Sequence, residues 1–241
     1  MKKTLHLVAY ALISLLVACG GGNAIEDLTQ QLENTPQGTG PTFAESSANN
    51  ATIDAWVTGV LEVISQTNFA LVEKAFDDSG VDNNANSFSI SEVNATLNGS
   101  NSGNVTAKVT ASGQVDNANN GNVSATVNSN FNDFSESNSL FLTGTSNYNL
   151  HVTGSSSSAL FDLSLSGVFT VSGEYGAKMS FDVASTFDLA KLEDGDPNND
   201  DEANVEVQGS AVVISGNDTY QCTFTADTNN DIVSAAHCTK N

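Results

Sequence analysis

The feature that most constrains the fold is a change in the spacing of apolar residues near residue 86. Before it, apolar residues recur every three or four positions. After it, they alternate with polar ones, as where Val105, Ala107 and Val109 alternate with Thr106 and Lys108. Strict alternation places the apolar side chains on one face of a strand and the polar ones on the other. The sequence beyond residue 86 therefore predicts antiparallel strands with one buried face and one solvent-exposed face.

The alternation returns in several later segments, separated by turns rich in Asn, Ser and Gly. Their apolar members are Val123, Ala125 and Val127; Tyr148, Leu150 and Val152; Phe161, Leu163, Leu165, Phe169 and Val171; Met179, Phe181 and Val183; Val205 and Val207; and Tyr220, Cys222 and Phe224. Successive alternating segments joined by such turns are typical of an up-and-down sheet. The sequence predicts a mainly β domain, a meander of about eight antiparallel strands.

One amphipathic helix is predicted before the sheet, from residue 51 to about residue 77. Its apolar positions are Ile53, Trp56, Val57, Val60, Leu61, Ile64, Leu71, Val72 and Ala75. Their spacing matches one face of a helix, and Ser79 and Gly80 favour its end. A single helix is too narrow to cover eight strands laid flat. We therefore expect the sheet to curl, as a half or closed barrel with the helix against its inner face.

The N-terminus carries the residues Leu16-Val17-Ala18-Cys19, which follow Lys2 and Lys3 and an apolar run from Leu7 to Val17. This order resembles the lipoprotein signal peptides of bacteria, and the run is shorter than the roughly 20 residues of a membrane span. The resemblance implies cleavage before Cys19 and attachment of acyl chains such as palmitate there. The alternative is an ordinary signal peptide with a chance cysteine.

The residue after the cysteine is Gly20 and not Asp, for which the sorting rule of that family implies the outer membrane of a Gram-negative cell. Three segments are expected: a signal peptide over residues 1–18, a flexible tether over residues 19–50, and a helix plus antiparallel β domain over residues 51–241. The tether is inferred from its glycines and prolines.

The charge is strongly acidic, with 28 Asp and Glu against seven basic residues and a net charge of −21. All seven basic residues are lysines. Nucleic acids and anionic lipid headgroups need clustered Lys or Arg, so neither is an expected partner. Membrane attachment is expected through the acyl chains at Cys19, of which two or more anchor stably.

Two further cysteines, Cys222 and Cys238, are an even pair for an oxidising compartment. Cys222 lies on a predicted strand, and residues 232–238 can return beside it after a turn at residues 227–230. We expect a disulfide across this last hairpin, the alternative being two free thiols.

An acidic segment near residue 200 has oxygen-bearing side chains at alternate positions. The calcium candidates are Asp194, Asp196, Asn198, Asp200 and Glu202. Such spacing resembles the first half of a calcium-binding loop, but Asn199 replaces its glycine and Val205 its last glutamate. The segment is either a weak calcium site or a solvated acidic loop. No other cofactor is expected.

Catalytic motifs are absent from the sequence. His151 lies on a polar strand face, His237 adjoins Cys238, and no two histidines have the spacing of zinc ligands. The nucleophile elbow, the P-loop and the dinucleotide fingerprint are also missing. A non-enzymatic protein is therefore predicted.

The predicted function is binding of an apolar ligand or lipid inside the curled sheet. The lining candidates are Trp56, Phe161, Phe169, Met179, Phe181 and Phe187. The alternative for each is ordinary core packing. With a solid core, the protein would instead be a structural or adhesive surface lipoprotein whose Ser, Thr and Asn face meets glycans or partner proteins.

Overall fold

A computed structural model describes residues 25–81, 86–115, 121–155, 158–188, 205–225 and 235–241. Cys19 and the calcium candidates between residues 194 and 202 lie outside the described residues. The elements are α1 (Ile25–Gln31), α2 (Asn50–Ser79), β1 (Ser87–Asn98), β2 (Ser102–Val115), β3 (Gly121–Ser137), β4 (Leu140–Ser155), β5 (Ser158–Gly173), β6 (Ala177–Asp188), β7 (Val205–Ser215), β8 (Asp218–Thr225) and β9 (Ala235–Lys240).

The strands form one antiparallel sheet in the order β1 to β9, each paired with its neighbours in the sequence. The mainly β, antiparallel prediction is confirmed. The sheet is not closed, because β1 and β9 do not pair with each other. The closed alternative of the predicted barrel is therefore wrong.

The pairing register puts like residues in rows across the sheet. An apolar row on the inner face joins Val109, Val127, Tyr148, Leu165 and Val183, and a polar row on the outer face joins Lys108, Asn128, Asn147, Ser166 and Asp182. The inner face holds the hydrophobic core. Two-residue periodicity alone produces this separation.

Helix α2 packs on the inner face. It begins after Asn49, whose side-chain oxygen accepts a hydrogen bond from the Thr52 N–H at 2.9 Å, and it ends at Gly80, which adopts a φ of 65°. The helix approaches β9 and β1, the two edges of the sheet, more closely than the central strands. The sheet must therefore curve around the helix.

The helix also covers the free edge of β9. Asp54 Oδ1 accepts the Cys238 N–H at 2.7 Å, and Thr58 Oγ1 accepts the Ala236 N–H at 3.3 Å. Both N–H groups point away from β8, and an edge strand would otherwise offer them to another chain. The helix thus takes the place of a tenth strand at this edge.

Residues 25–43, which we call the strap, run along the sheet instead of leaving it. Leu28 and Leu32 are fully buried on the outer face against Val212. Farther along, Phe43 enters the inner core. A flexible tether was expected over residues 19–50, and residues 25–43 of that range are packed against the sheet.

The expected disulfide joins Cys222 of β8 to Cys238 of β9, and this prediction is confirmed. The two residues face each other directly in the register. Because the Cys238 N–H points toward Asp54, the pair is of the non-hydrogen-bonded kind, in which facing side chains come closest.

Candidate functional site

The side chains expected to line an apolar cavity are packed against one another. Phe169, Met179 and Phe181 are fully buried, and Phe161 is nearly so. The Phe169 ring lies between Phe131 at 5.1 Å and Phe181 at 6.0 Å, measured between centroids. These separations are those of packed aromatic pairs.

Trp56 belongs to a second aromatic group. Its ring lies 5.2 Å from Phe43 and 6.4 Å from Tyr175, again between centroids. Phe187 lies on β6 opposite Phe161 of β5, but its side chain is not among those described. The structure therefore brings five of the six candidates into the core and shows them in packing contacts.

One polar group interrupts this core where α2 meets β3 and β4. Asn68 is fully buried and donates through Nδ2 to the Ile64 carbonyl at 2.8 Å and to Ser146 Oγ at 2.9 Å. Ser146 Oγ lies 2.7 Å from Ser129 Oγ. The Asn68 Oδ1 atom is buried without a hydrogen-bond partner. A buried acceptor left in this way costs about 1–3 kcal/mol.

The outer face of β1 to β5 is built mostly from uncharged polar side chains, with Glu92, Lys108 and Asp162 among its charged members. Its exposed members on β2 to β4 include Thr106, Thr110, Ser112, Asn122, Ser124, Asn128, Asn130, Thr145, Asn147 and Asn149. The chain as a whole has a net charge of −21, so this face carries much less charge than the chain's average composition would give. It offers hydrogen bonds without strong electrostatic selection.

A cleft of about 320 Å³ opens on this face across β3, β4, β5 and β6. We call it the polar cleft. The side chains that point into it from the outer face are Ser124, Thr126, Asn149, His151, Asp162, Ser164 and Thr186. A volume of this size suits a small ligand or one unit of a polymer.

Hydrogen bonds between strands hold the lining side chains in place. In one row, Thr126 Oγ1 donates to Asn149 Oδ1 at 3.0 Å, and Asn149 Nδ2 donates to Ser164 Oγ at 3.1 Å. The Asn149 side chain is therefore fixed from both sides, with its amide orientation set by its two neighbours.

In the adjacent row, Ser124 Oγ lies 2.7 Å from His151 Nδ1, and Thr186 Oγ1 donates to Asp162 Oδ1 at 3.0 Å. The register aligns these four residues on successive strands. Carboxylate, imidazole, amide and hydroxyl groups together supply both donors and acceptors.

The order Ser124, His151 and Asp162 is that of a catalytic relay, but its setting differs from one. Acyl transfer uses hydrogen-bond donors, either backbone N–H groups or side chains such as amides, that stabilise an oxyanion. Here the three residues lie within paired antiparallel strands, whose N–H groups are used in the sheet ladder. The arrangement presents donors and acceptors that can bind and orient a ligand.

Sequence reasoning placed His151 on a polar strand face but did not find the polar cleft. The partners of His151 come from other strands, 27 positions away for Ser124. Only the pairing register joins them, and the sequence does not state that register. Because Ser and Asn are abundant throughout the strands, the sequence does not distinguish the few positions where their side chains hydrogen-bond to one another.

Among the described residues, no three His, Cys, Asp or Glu side chains are grouped so as to hold a metal ion. The described helices include none long and apolar enough to cross a membrane. Comparison with known proteins gives no relative: no family model, curated protein or solved structure matches this chain.

Proposed function

We propose that this chain is a lipid-anchored, non-enzymatic protein of the bacterial cell envelope that binds a hydroxyl-rich ligand, a neutral glycan, at the polar cleft. The observation that carries the proposal is the hydrogen-bonded arrangement of Thr126, Asn149 and Ser164 beside Ser124 and His151. Side chains held in position before binding lose little entropy when a ligand arrives.

Charge favours a neutral sugar over an anionic ligand. The polar cleft holds Asp162 and no lysine among its lining residues, and the whole chain is acidic. A sugar hydroxyl can donate to the Asp162 carboxylate and accept from the second N–H of the Asn149 amide. Since the lining lacks Phe, Tyr and Trp, stacking does not add affinity, and we expect binding near millimolar, about −4 kcal/mol.

Titration calorimetry with neutral hexose and N-acetylhexosamine oligosaccharides tests the proposal. Asn149→Ala removes the central residue of the first row and should weaken binding at least tenfold, since one lost hydrogen bond of about 1.4 kcal/mol gives that factor. Asn94→Ala, an exposed asparagine on the same face at β1, is the matched control. Absence of saturable heat, or equal losses in both variants, would refute the polar cleft as a glycan site.

The anchor is a separate part of the proposal. The order Leu16-Val17-Ala18-Cys19 supports acylation at Cys19, and Gly20 after it supports a place in the outer membrane. Cells expressing the full chain and its Cys19→Ser variant can be extracted with a phase-separating detergent. The native chain should enter the detergent phase and the variant the aqueous one. Identical partition into the aqueous phase would refute the anchor.

A second candidate function is enclosure of an apolar ligand between α2 and the inner face, and the buried polar group of Asn68, Ser146 and Ser129 favours it. An unpartnered, buried acceptor at the helix–sheet seam could receive a hydroxyl of an amphiphilic ligand. Native mass spectrometry of the protein purified from its own envelope distinguishes the two functions, since a retained lipid would favour the enclosed site.

Weak calcium binding at Asp194, Asp196, Asn198, Asp200 and Glu202 stays a prediction from the sequence. Calorimetric titration at millimolar calcium should give heat that the Asp196→Ala, Asp200→Ala double variant lacks. A parent protein without heat would leave the segment a solvated acidic loop.

A further inference from the structure

The strap is fixed to the outer face by its first helix. Leu28 and Leu32 are completely buried there. Lys178 Nζ donates to the Leu32 carbonyl at 2.5 Å, and Ser180 Oγ donates to Gln31 Oε1 at 2.7 Å. Burial of two leucines, at about 1.5–3 kcal/mol each, holds a seven-residue helix that would not be stable alone.

The rest of the strap is bound by its backbone. The Gly38 N–H donates to the Ala177 carbonyl at 3.2 Å, and the Thr39 carbonyl accepts from the Gly173 N–H at 2.9 Å. Phe43 then packs in the inner core, with its ring centroid 5.4 Å from that of Tyr220. The chain is therefore attached to the domain from residue 25 onward.

Ile25 follows Cys19 by only six positions. Fully extended, this segment spans at most about 20 Å. We propose that the domain lies against the bilayer, with the surface around Ile25 and the β7–β8 turn next to the lipid headgroups. The proposal rests on the proposed acylation of Cys19.

The surface next to Ile25 is a cleft of about 670 Å³ between α1 and β8, lined by Ile25, Glu26, Thr29, Asn217, Thr219 and Asn241, among others. We call it the strap cleft. Its lining is polar and partly acidic, so neither insertion into the bilayer nor attraction to anionic lipid holds it there. The short link to the acylated residue does. Zwitterionic headgroups are the partner that this surface fits.

The same geometry locates the polar cleft. Ser180, which contacts α1, lies six residues before Thr186 of the polar cleft on the same face of β6. Six residues of a strand span about 20 Å. The proposed glycan site would therefore lie about 20 Å from the strap along the sheet, directed away from the membrane anchor.

Energy transfer from single labelled positions to an acceptor on the headgroups of phosphatidylcholine vesicles tests the proposal with the acylated full chain. Because Cys222 and Cys238 are bonded and Cys19 would carry lipid, an introduced cysteine is the one free thiol of the mature chain. Asn217→Cys reports on the strap cleft. Gln114→Cys lies on β2, eight residues or about 27 Å beyond Thr106, which the register places in one row with Ser180.

Transfer should be several-fold stronger at position 217 than at position 114. A Gly/Ser insertion of about 20 residues between Ala24 and Ile25, adding roughly 25 Å, should remove the difference while vesicle binding persists. Equal transfer at both positions, or a difference that survives the insertion, would overturn the orientation alone. Failure of the chain to bind vesicles at all would overturn the anchor as well.

Discussion

At the scale of single residues, substitution of Asn68 tests whether the core can accommodate a charged group. Replacing it with Asp puts a carboxyl beside Ser146, where burial raises its folded-state pKa. A raised acid pKa means that folded protein binds the proton more tightly than unfolded protein. The variant should therefore lose stability as pH rises above about 4, with a deficit near 3 kcal/mol at pH 7.

Urea unfolding at pH 4 and pH 7 measures this change in the free energy of unfolding. Asn147→Asp, on the exposed face of β4 next to Ser146, should change stability by less than about 0.5 kcal/mol. A deficit for Asn68→Asp that is the same at both pH values would mean that the carboxylate finds water or a partner at the seam.

Tyr148 gives a second pH dependence, in the alkaline range. Burial raises the pKa of its phenol, and the side chain is only 1% exposed. Its contribution is fully present below the unfolded pKa of about 10 and is lost as pH rises beyond it, by about 1.4 kcal/mol per pH unit. Tyr148→Phe should flatten the loss between pH 10 and 11.

Tyr148→Phe should remove only part of the loss of stability between pH 10 and 11. The Tyr220 pKa is also raised, first by burial and then by the charge of Asp218, so that residue keeps part of the slope. Urea unfolding at pH 9, 10 and 11 gives the comparison. An unchanged slope in Tyr148→Phe would show that this phenol ionises without unfolding the protein.

At the scale of elements, β9 depends on its disulfide and on α2. The Cys222–Cys238 bond closes a loop of about 15 residues, for which the chain-entropy estimate is about 3 kcal/mol. The Cys222→Ala, Cys238→Ala double variant should be less stable by that amount. Amide exchange should accelerate most at Ala236 and Cys238, whose N–H groups bind Thr58 and Asp54.

Exchange that accelerates equally in all strands would mean that β9 opens only with the whole sheet. The matched control is Asp54→Ala with the disulfide intact. It removes one acceptor and should expose the Cys238 amide alone.

The strap should detach without unfolding the sheet. Leu28→Ala with Leu32→Ala removes most of the apolar contact of α1 with Val212. Exchange of the amides in residues 25–32 should become fast, while the β3 and β4 amides stay protected. Loss of protection throughout the sheet would show instead that α1 is an integral part of the core.

The strands were predictable because alternation is a local property, but two elements were not. In β1 the register shifts between Ile90 and Val93, so the bulge interrupts the alternation that marks the other strands. In the strap, glycines suggested flexibility. Gly38 instead allows close approach, since a Cβ there would overlap the Val171 carbonyl, and Gly40 adopts a φ of 138°.

At the scale of the whole molecule, the polar cleft and the curvature depend on relations between distant residues. The apolar face of the antiparallel sheet was readable from periodicity. The alignment of Ser124, His151 and Asp162 could not be predicted from periodicity, because a shift of one residue in any strand pair would separate these side chains. The same limit applies to Asn68 and Ser146, which are 78 positions apart.

The overall charge leads to a last prediction, on salt. With 28 acidic and seven basic residues, repulsion within the folded chain should outweigh its ion pairs. The pairs Lys108–Glu92 and Lys74–Asp78 are exposed and contribute little when screened. Raising NaCl from about 0.01 to 0.15 M shortens the screening length from about 30 to 8 Å. The melting temperature should therefore rise by several degrees.

Differential scanning calorimetry at constant pH measures the rise, and choline chloride should reproduce it if screening is the cause. Calcium chloride at matched ionic strength separates a bound cation from general screening. An additional rise with calcium, absent from the Asp196→Ala, Asp200→Ala variant, would locate the ion in the acidic segment. A melting temperature that falls with salt would mean that attraction in the few ion pairs outweighs repulsion among the carboxylates. Screening weakens both, and it lowers stability only when attraction is the larger of the two.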